Sequence, residues 1–133
     1  MMKKVLFVCV ENSCRSQMAE AFAKIHGKDV IESYSAGSRA SGKVNEKAIR
    51  SMQEVDYDLD AHKSKSLNDI PDIEYDFTIT MGCGDECPYV IAKQKQDWDI
   101  PDPKNMNNQK FDKVRDMIKQ KVLSLINALN IEE

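Results

Sequence analysis

Val5, Leu6, Phe7 and Val8 are apolar at consecutive positions and run directly into Cys9-Val10-Glu11-Asn12-Ser13-Cys14-Arg15-Ser16. An unbroken apolar run suits a strand covered on both faces, so this segment reads as the central strand of a parallel sheet. Beyond the loop, Met18, Phe22 and Ile25 recur at helical spacing among Ala19, Ala21 and Ala23, which predicts a helix from about Ser16 to His26, ended by Gly27. Whatever the chain does, a polar loop sits between a buried strand and a helix.

The pattern then repeats. Val30 to Ala36 reads as a second strand closed by Gly37, and Val44, Ala48, Met52 and Val55 mark a second helical face. Tyr75 to Met81 reads as a third strand, Gly82 to Gln96 as irregular, and Asp97 to Ile100 as a short fourth strand before Pro101 and Pro103. Phe111, Val114, Ile118, Val122, Leu125 and Leu129 form the stripe of a long last helix. Strands alternating with helices imply an α/β fold with a mostly parallel sheet.

At 133 residues the chain suits one domain with one core. No apolar run approaches the roughly 20 residues of a membrane span, and no secretory signal is legible, so a cytoplasmic location is expected. The net charge of -3 argues against nucleic acid as the main partner. Cys9, Cys14, Cys83 and Cys87 are then reactive thiols, ligands or buried fillers rather than secretory staples.

In open α/β sheets, ligands sit beyond the carboxyl ends of the strands, where helix N-termini present free amides and a positive dipole end. Cys9 occupies that place. A loop curling into a helix can ring the oxygens of a tetrahedral anion with backbone N–H groups from Val10, Glu11, Asn12, Ser13, Cys14, Arg15 and Ser16, while the Arg15 guanidinium adds a fork of donors. The same positive field favours a nucleophilic thiolate at Cys9, and Ser16 is placed to donate to its sulfur. A Cys-x5-Arg spacing alone recurs by chance; its position between a buried strand and a helix gives it weight. Asp102, between two prolines, is either a turn residue or a carboxyl carried over the anion to protonate a leaving oxygen. Cys83 and Cys87, in Gly82-Cys83-Gly84-Asp85-Glu86-Cys87-Pro88, are redox thiols, metal ligands or unreactive loop residues. A zinc site needs about four ligands, and only His26 and His62 remain, in unrelated segments, so no metal is expected.

The run Cys9-x-x-Asn-Ser-Cys-Arg-Ser-Gln-Met-Ala-Glu, with Tyr34-Ser35-Ala36-Gly37 and Asp102-Pro103, resembles the low-molecular-weight tyrosine phosphatase superfamily and its arsenate reductase branch. The resemblance spans nearly the whole chain. It implies one three-layer domain over residues 1–133, with a four-stranded parallel sheet flanked by helices. It also implies Cys9 as nucleophile, Arg15 as oxyanion ligand and Asp102 as general acid. Similarity to thioredoxin-coupled arsenate reductases further implies that Cys9 attacks arsenate and that Cys83 and Cys87 pass on a disulfide. No bound cofactor is then needed; an external thiol reductant, thioredoxin foremost, recycles a monomeric enzyme. A phosphatase using the same first step, and a non-enzymatic oxyanion or arsenical-binding protein, are the rival readings.

Several residues depart from the resembling pattern. Cys83 and Cys87 are closer together than in the familiar thioredoxin-coupled members, so their order of reaction stays open. Lys104 stands where phosphatases carry an aromatic residue, and Glu11 where relatives commonly have glycine. Some members bind potassium through residues matching Asn12, Glu20 and Ser35 together with an Asp, whose place Lys65 takes here. An ammonium pairing with Glu20 can replace the ion, so no potassium requirement is expected. Cys14 reads as a small filler, His26 as a dipole partner at a helix end, and His62, Trp98, Lys93 and Lys95 as surface or packing residues.

Overall fold

The computed structural model describes residues 2–82 and 92–132. Strand β1 (Lys3–Cys9) is followed by α1 (Arg15–His26), β2 (Ile31–Gly37), α2 (Glu46–Gln53), β3 (Tyr75–Thr80), β4 (Ala92–Asp97) and α3 (Asn108–Glu132). Short 3-10 turns at Leu59–Ala61 and Leu67–Asp69 lie between α2 and β3. The four strands form one parallel sheet in the order β2-β1-β3-β4.

The apolar run divides between the two faces as pleating demands. Val5, Phe7 and Cys9 join the larger core with Met18 and Phe22 of α1 and Phe111, Ile118 and Val122 of α3. Leu6 and Val8 pack on the opposite face with Ala36 and Tyr75, beneath Leu67 and Ile70. The strand order reverses between β1 and β3, and the crevice at their carboxyl ends is where a ligand belongs in such a sheet.

The expected helices and first three strands are present within a few residues of their predicted bounds. The fourth strand is not at Asp97 to Ile100. It is Ala92–Asp97, inside the stretch expected to be irregular, and its side chains Lys93, Gln94, Lys95, Gln96 and Asp97 are exposed. An edge strand needs only β3 as backbone partner, so its sequence carries no apolar alternation. Trp98 and Ile100 are buried for another reason: they cross the top of the sheet. Trp98 N donates to Thr80 O at 2.8 Å, and its ring lies 5.8 Å from that of Phe7.

Among the described residues no helix is long and apolar enough to cross a membrane. Phe7 is fully buried where β1 meets Trp98 and α1. Phe7→Ala leaves a cavity there and is expected to cost about 3–5 kcal/mol, a large part of the roughly 5–15 kcal/mol holding a domain together, measured by urea unfolding.

Candidate active site

The loop between β1 and α1 is held by its carbonyl groups. Cys9 O accepts from Ser38 N at 3.3 Å, Val10 O from Arg39 N at 2.8 Å, and Glu11 O from Ser41 N at 3.0 Å. Ser64 Oγ adds a second bond to Glu11 O at 2.9 Å, and Gln17 Nε2 donates to Asn12 O at 3.1 Å. Ser13 O accepts from Asn45 N and Cys14 O from Met18 N, both at 3.0 Å. In a trans peptide the N–H of the next residue points opposite to each carbonyl. Six carbonyls bonded away from the centre therefore turn the N–H groups of residues 10–15 inward. Among the described residues, no backbone or side-chain group accepts a hydrogen bond from the N–H groups of residues 10–14.

Helix α1 opens into the same space. Its N-cap, Cys14, makes no side-chain capping bond, and its first turn carries no acidic residue. By contrast α2 is capped by Asn45, whose side chain accepts from Lys47 N at 2.8 Å, and has Glu46 in its first turn. The orphan donors and positive dipole end of α1 are thus left for an anion.

Local backbone geometry explains two residues. Asn12 lies in the left-handed region at φ 52, where asparagine is tolerated better than most residues. Gly37, at the end of β2, leaves no room for a side chain: a Cβ there would lie 2.5 Å from Val10 O and 2.8 Å from Asn12 N. Glycine is what allows β2 to approach the loop.

A cavity of about 430 Å³ opens over the loop, lined among others by Cys9, Arg15, Gly82, Ile100 and Asp102. Arg15 is 7% exposed. Its Nη1 donates to Met81 O and, at 3.1 Å, to Ile100 O, while Nη2 lies 3.9 Å from Asp102 Oδ2. Gly82, at φ 78, completes this corner, since a Cβ would stand 2.9 Å from Arg15 Nη1. Asp102 Oδ1 accepts from Lys104 N at 3.1 Å, and its carboxylate is open to solvent.

The sulfur of Cys9 lies 2.9 Å from Ser16 Oγ. The direction of that bond follows from its neighbours. Lys65 N donates to Asn12 Oδ1 at 2.7 Å, so Asn12 Nδ2 must be the donor to Ser16 Oγ at 2.8 Å. Ser16 already accepts there and turns its own hydrogen to the sulfur. Cys14 is buried, and that burial pushes its thiol up to about 12, leaving it a neutral thiol near pH 7. Outside the cavity, Lys104 Nζ bonds both carboxylate oxygens of Glu11, at 2.9 and 3.1 Å, which raises the lysine above its ordinary pKa.

Sequence reasoning brought Cys9, Val10, Glu11, Asn12, Ser13, Cys14, Arg15, Ser16 and Asp102 to one place, and the structure does the same. Cys83 and Cys87 lie outside the described residues. Sequence reasoning missed Gln17 and His62. Gln17 Nε2 donates to Asn12 Oδ1 and to Lys63 O, each at 2.8 Å. Its Oε1 accepts from His62 Nδ1 at 2.9 Å, and Tyr57 OH donates to His62 Nε2. His62 is therefore a half-buried brace of the loop, which nothing in its local sequence announces. Glu20 lies beside it. Ser35 Oγ donates to Glu20 Oε1 at 2.6 Å, and Lys24 Nζ and Lys65 Nζ stand 3.3 and 3.6 Å from its carboxylate. The Lys65–Glu20 pairing anticipated from the sequence is present. A potassium ion does not fit residues whose carboxylate already faces two ammonium groups. His26 stacks on Phe22 at the end of α1, and Lys93 pairs with Asp76.

Residues 4–133 match the family described as low molecular weight phosphotyrosine protein phosphatase. A glutaredoxin arsenate reductase of Synechocystis is 40% identical over 94% of this chain and 97% of its own length. A solved structure of an arsenate reductase in the phosphate binding state has a TM-score of 0.87 at 39% identity, covering 96% of this chain and 99% of that one. The thioredoxin-dependent arsenate reductase of Corynebacterium glutamicum has a TM-score of 0.79 at 26% identity, covering 99% of this chain and 64% of the other. The chain belongs to the low molecular weight phosphotyrosine protein phosphatase family.

Burial lowers the His62 pKa below its ordinary 6.5, against a smaller opposing effect of Glu20. The unfolded chain then binds a proton that the fold resists, so stability is expected to fall as pH drops below about 6.5 and towards the folded pKa. Melting temperatures followed from pH 7.5 to 5 should decline more steeply for wild type than for His62→Gln.

Proposed function

We propose that this chain reduces arsenate to arsenite in the cytoplasm, with Cys9 as nucleophile. The observation that carries this reading is the ring of inward N–H groups around Cys9, closed by Arg15 and overlooked by Asp102. Five amides without an acceptor among the described residues, with a guanidinium, suit a tetrahedral oxyanion, and the likeness to arsenate reductases over nearly the whole chain supports arsenate as that anion.

Cys9 Sγ attacks arsenic and forms an S–As bond while an oxygen leaves as water, protonated by Asp102. The loop amides and Arg15 hold the remaining oxygens. Cys83 then attacks Cys9 Sγ; the S–As bond breaks, its electron pair stays on arsenic, and arsenite departs. Arsenic is reduced by two electrons as two thiols become the Cys9–Cys83 disulfide. Cys87 attacks Cys83 and frees Cys9, and the Cys83–Cys87 disulfide goes to an external dithiol, thioredoxin. The enzyme acts as a monomer and holds no metal or organic cofactor. Phosphate ester hydrolysis shares the first step, but water rather than a thiol would then complete turnover.

Arsenite production with thioredoxin, thioredoxin reductase and NADPH tests the scheme. Wild type should turn over repeatedly, while Cys9→Ser, Cys83→Ser and Cys87→Ser fall to background. Arg15→Lys is expected to lose about 10²-fold in kcat, since an ammonium cannot reproduce the fork. Turnover that survives Cys83→Ser would sink the cascade, and turnover with glutaredoxin alone would replace thioredoxin as the reductant. Saturable arsenate binding without arsenite would leave only a binding protein. Added potassium should leave both KM and melting temperature unchanged.

A further inference from the structure

Glu11 belongs to the anion loop and Lys104 to the segment that carries Asp102, and the two meet beside the anion cavity. Their contact is two-pronged, with Lys104 Nζ on both Glu11 oxygens. The backbone N–H of the same lysine holds Asp102 Oδ1 at 3.1 Å. Behind it, Lys47 of α2 donates to Met106 O at 2.8 Å and to Lys104 O at 3.5 Å. One residue thus joins the Asp102 carboxyl to the anion loop, and a second anchors the turn from behind.

Next to the anion cavity lies a depression of about 440 Å³, and Glu11 and Ser13 line both, with Lys104 on the outer one. The ion pair stands at the boundary. A leaving group departs on the side opposite the attacking sulfur, into the cavity that Asp102 also lines, and an organic substituent on it needs room beyond that boundary. A carboxylate beside a bound oxyanion is unfavourable alone; paired with Lys104, its charge is neutralised and put to use.

We propose that the Glu11–Lys104 pair is a latch that holds the Asp102 loop over Cys9 and restricts the site to small inorganic oxyanions at the expense of organic phosphomonoesters. This rests on the arsenate reductase reading and assigns its selectivity. Glu11 and Lys104 are positioning residues, since neither carries a reacting atom. The pair is partly exposed, so its contribution is modest and screened by salt, as a reversible latch requires.

The test is a double-mutant cycle of Glu11→Gln, Lys104→Gln and both together, all remote from the core. Two quantities are read: the single-turnover rate of arsenite release at saturating arsenate with its half-saturation concentration, and the rate of p-nitrophenyl phosphate hydrolysis. A latch predicts the same loss of about three- to fivefold in the arsenite rate for both single variants and the double, because breaking either side breaks the pair. The ratio of p-nitrophenyl phosphate hydrolysis to arsenite release should rise in all three. Exchanging the charges, Glu11→Lys with Lys104→Glu, should recover most of the arsenite rate. Losses that multiply in the double variant overturn the latch, as do unchanged rates with half-saturation shifts of opposite sign that cancel. A wild type that releases no arsenite overturns the activity and the latch with it, whereas an active wild type with unaffected variants overturns the latch alone.

Discussion

Everything at the site depends on where the carbonyl groups of residues 9–14 are bonded. Backbone polar groups buried without partners are costly, and a loop at the carboxyl end of a sheet has no strand to satisfy it. Here the carbonyls are taken by Ser38, Arg39, Ser41, Asn45 and Ser64, from segments that follow β2 or precede β3, and by Gln17 and Met18 of α1. Peptide planarity then does the rest, since a carbonyl turned out is an amide turned in. The anion cradle is a consequence of how the surrounding chain satisfies its own hydrogen bonds.

The side chains behind the cradle follow the same logic. Asn12 is held in a left-handed conformation by bonds to Lys65 N, Gln17 and Ser16, and this fixes which way the Ser16 hydroxyl points at Cys9. Gln17 carries the network on to His62 and Tyr57. Glu20, buried next to it, is balanced by Lys24 and Lys65 rather than left as an isolated charge. A chain with net negative charge can still present donors to an anion, because Arg15 and the loop amides face the cavity and the Glu11 carboxylate is paired with Lys104.

Much of this was legible before any coordinates. The run Val5 to Val8 announced a strand buried on both faces, and the repeating intervals in α1 and α3 announced helices packed on it. Cys9 and Arg15 were identifiable from their place between a buried strand and a helix, whereas Asp102 joined them only through the family resemblance. The fourth strand was misplaced because an edge strand pairs through its backbone and leaves Lys93 to Asp97 in water, so it lacks the apolar signal on which such readings rely. Trp98 and Ile100 supplied that signal without being a strand. His62 was set aside as a surface or packing residue because its partners, Gln17 and Tyr57, meet it only after the segment around Leu59–Ala61 folds against α1.

The sequence by itself determined the alternation of strands and helices, the thiol at a strand end and the positive helix terminus facing it. Those depend on local periodicity and on residues near one another in the chain. Only the tertiary structure decided that the loop amides point inward, that Gly37 and Gly82 are required by close approach, and that Glu11 and Lys104 meet beside the anion cavity. These are contacts between distant segments, and hydrogen bonds and ion pairs act over a few ångströms, so no spacing along the chain can specify them before the sheet brings those segments together.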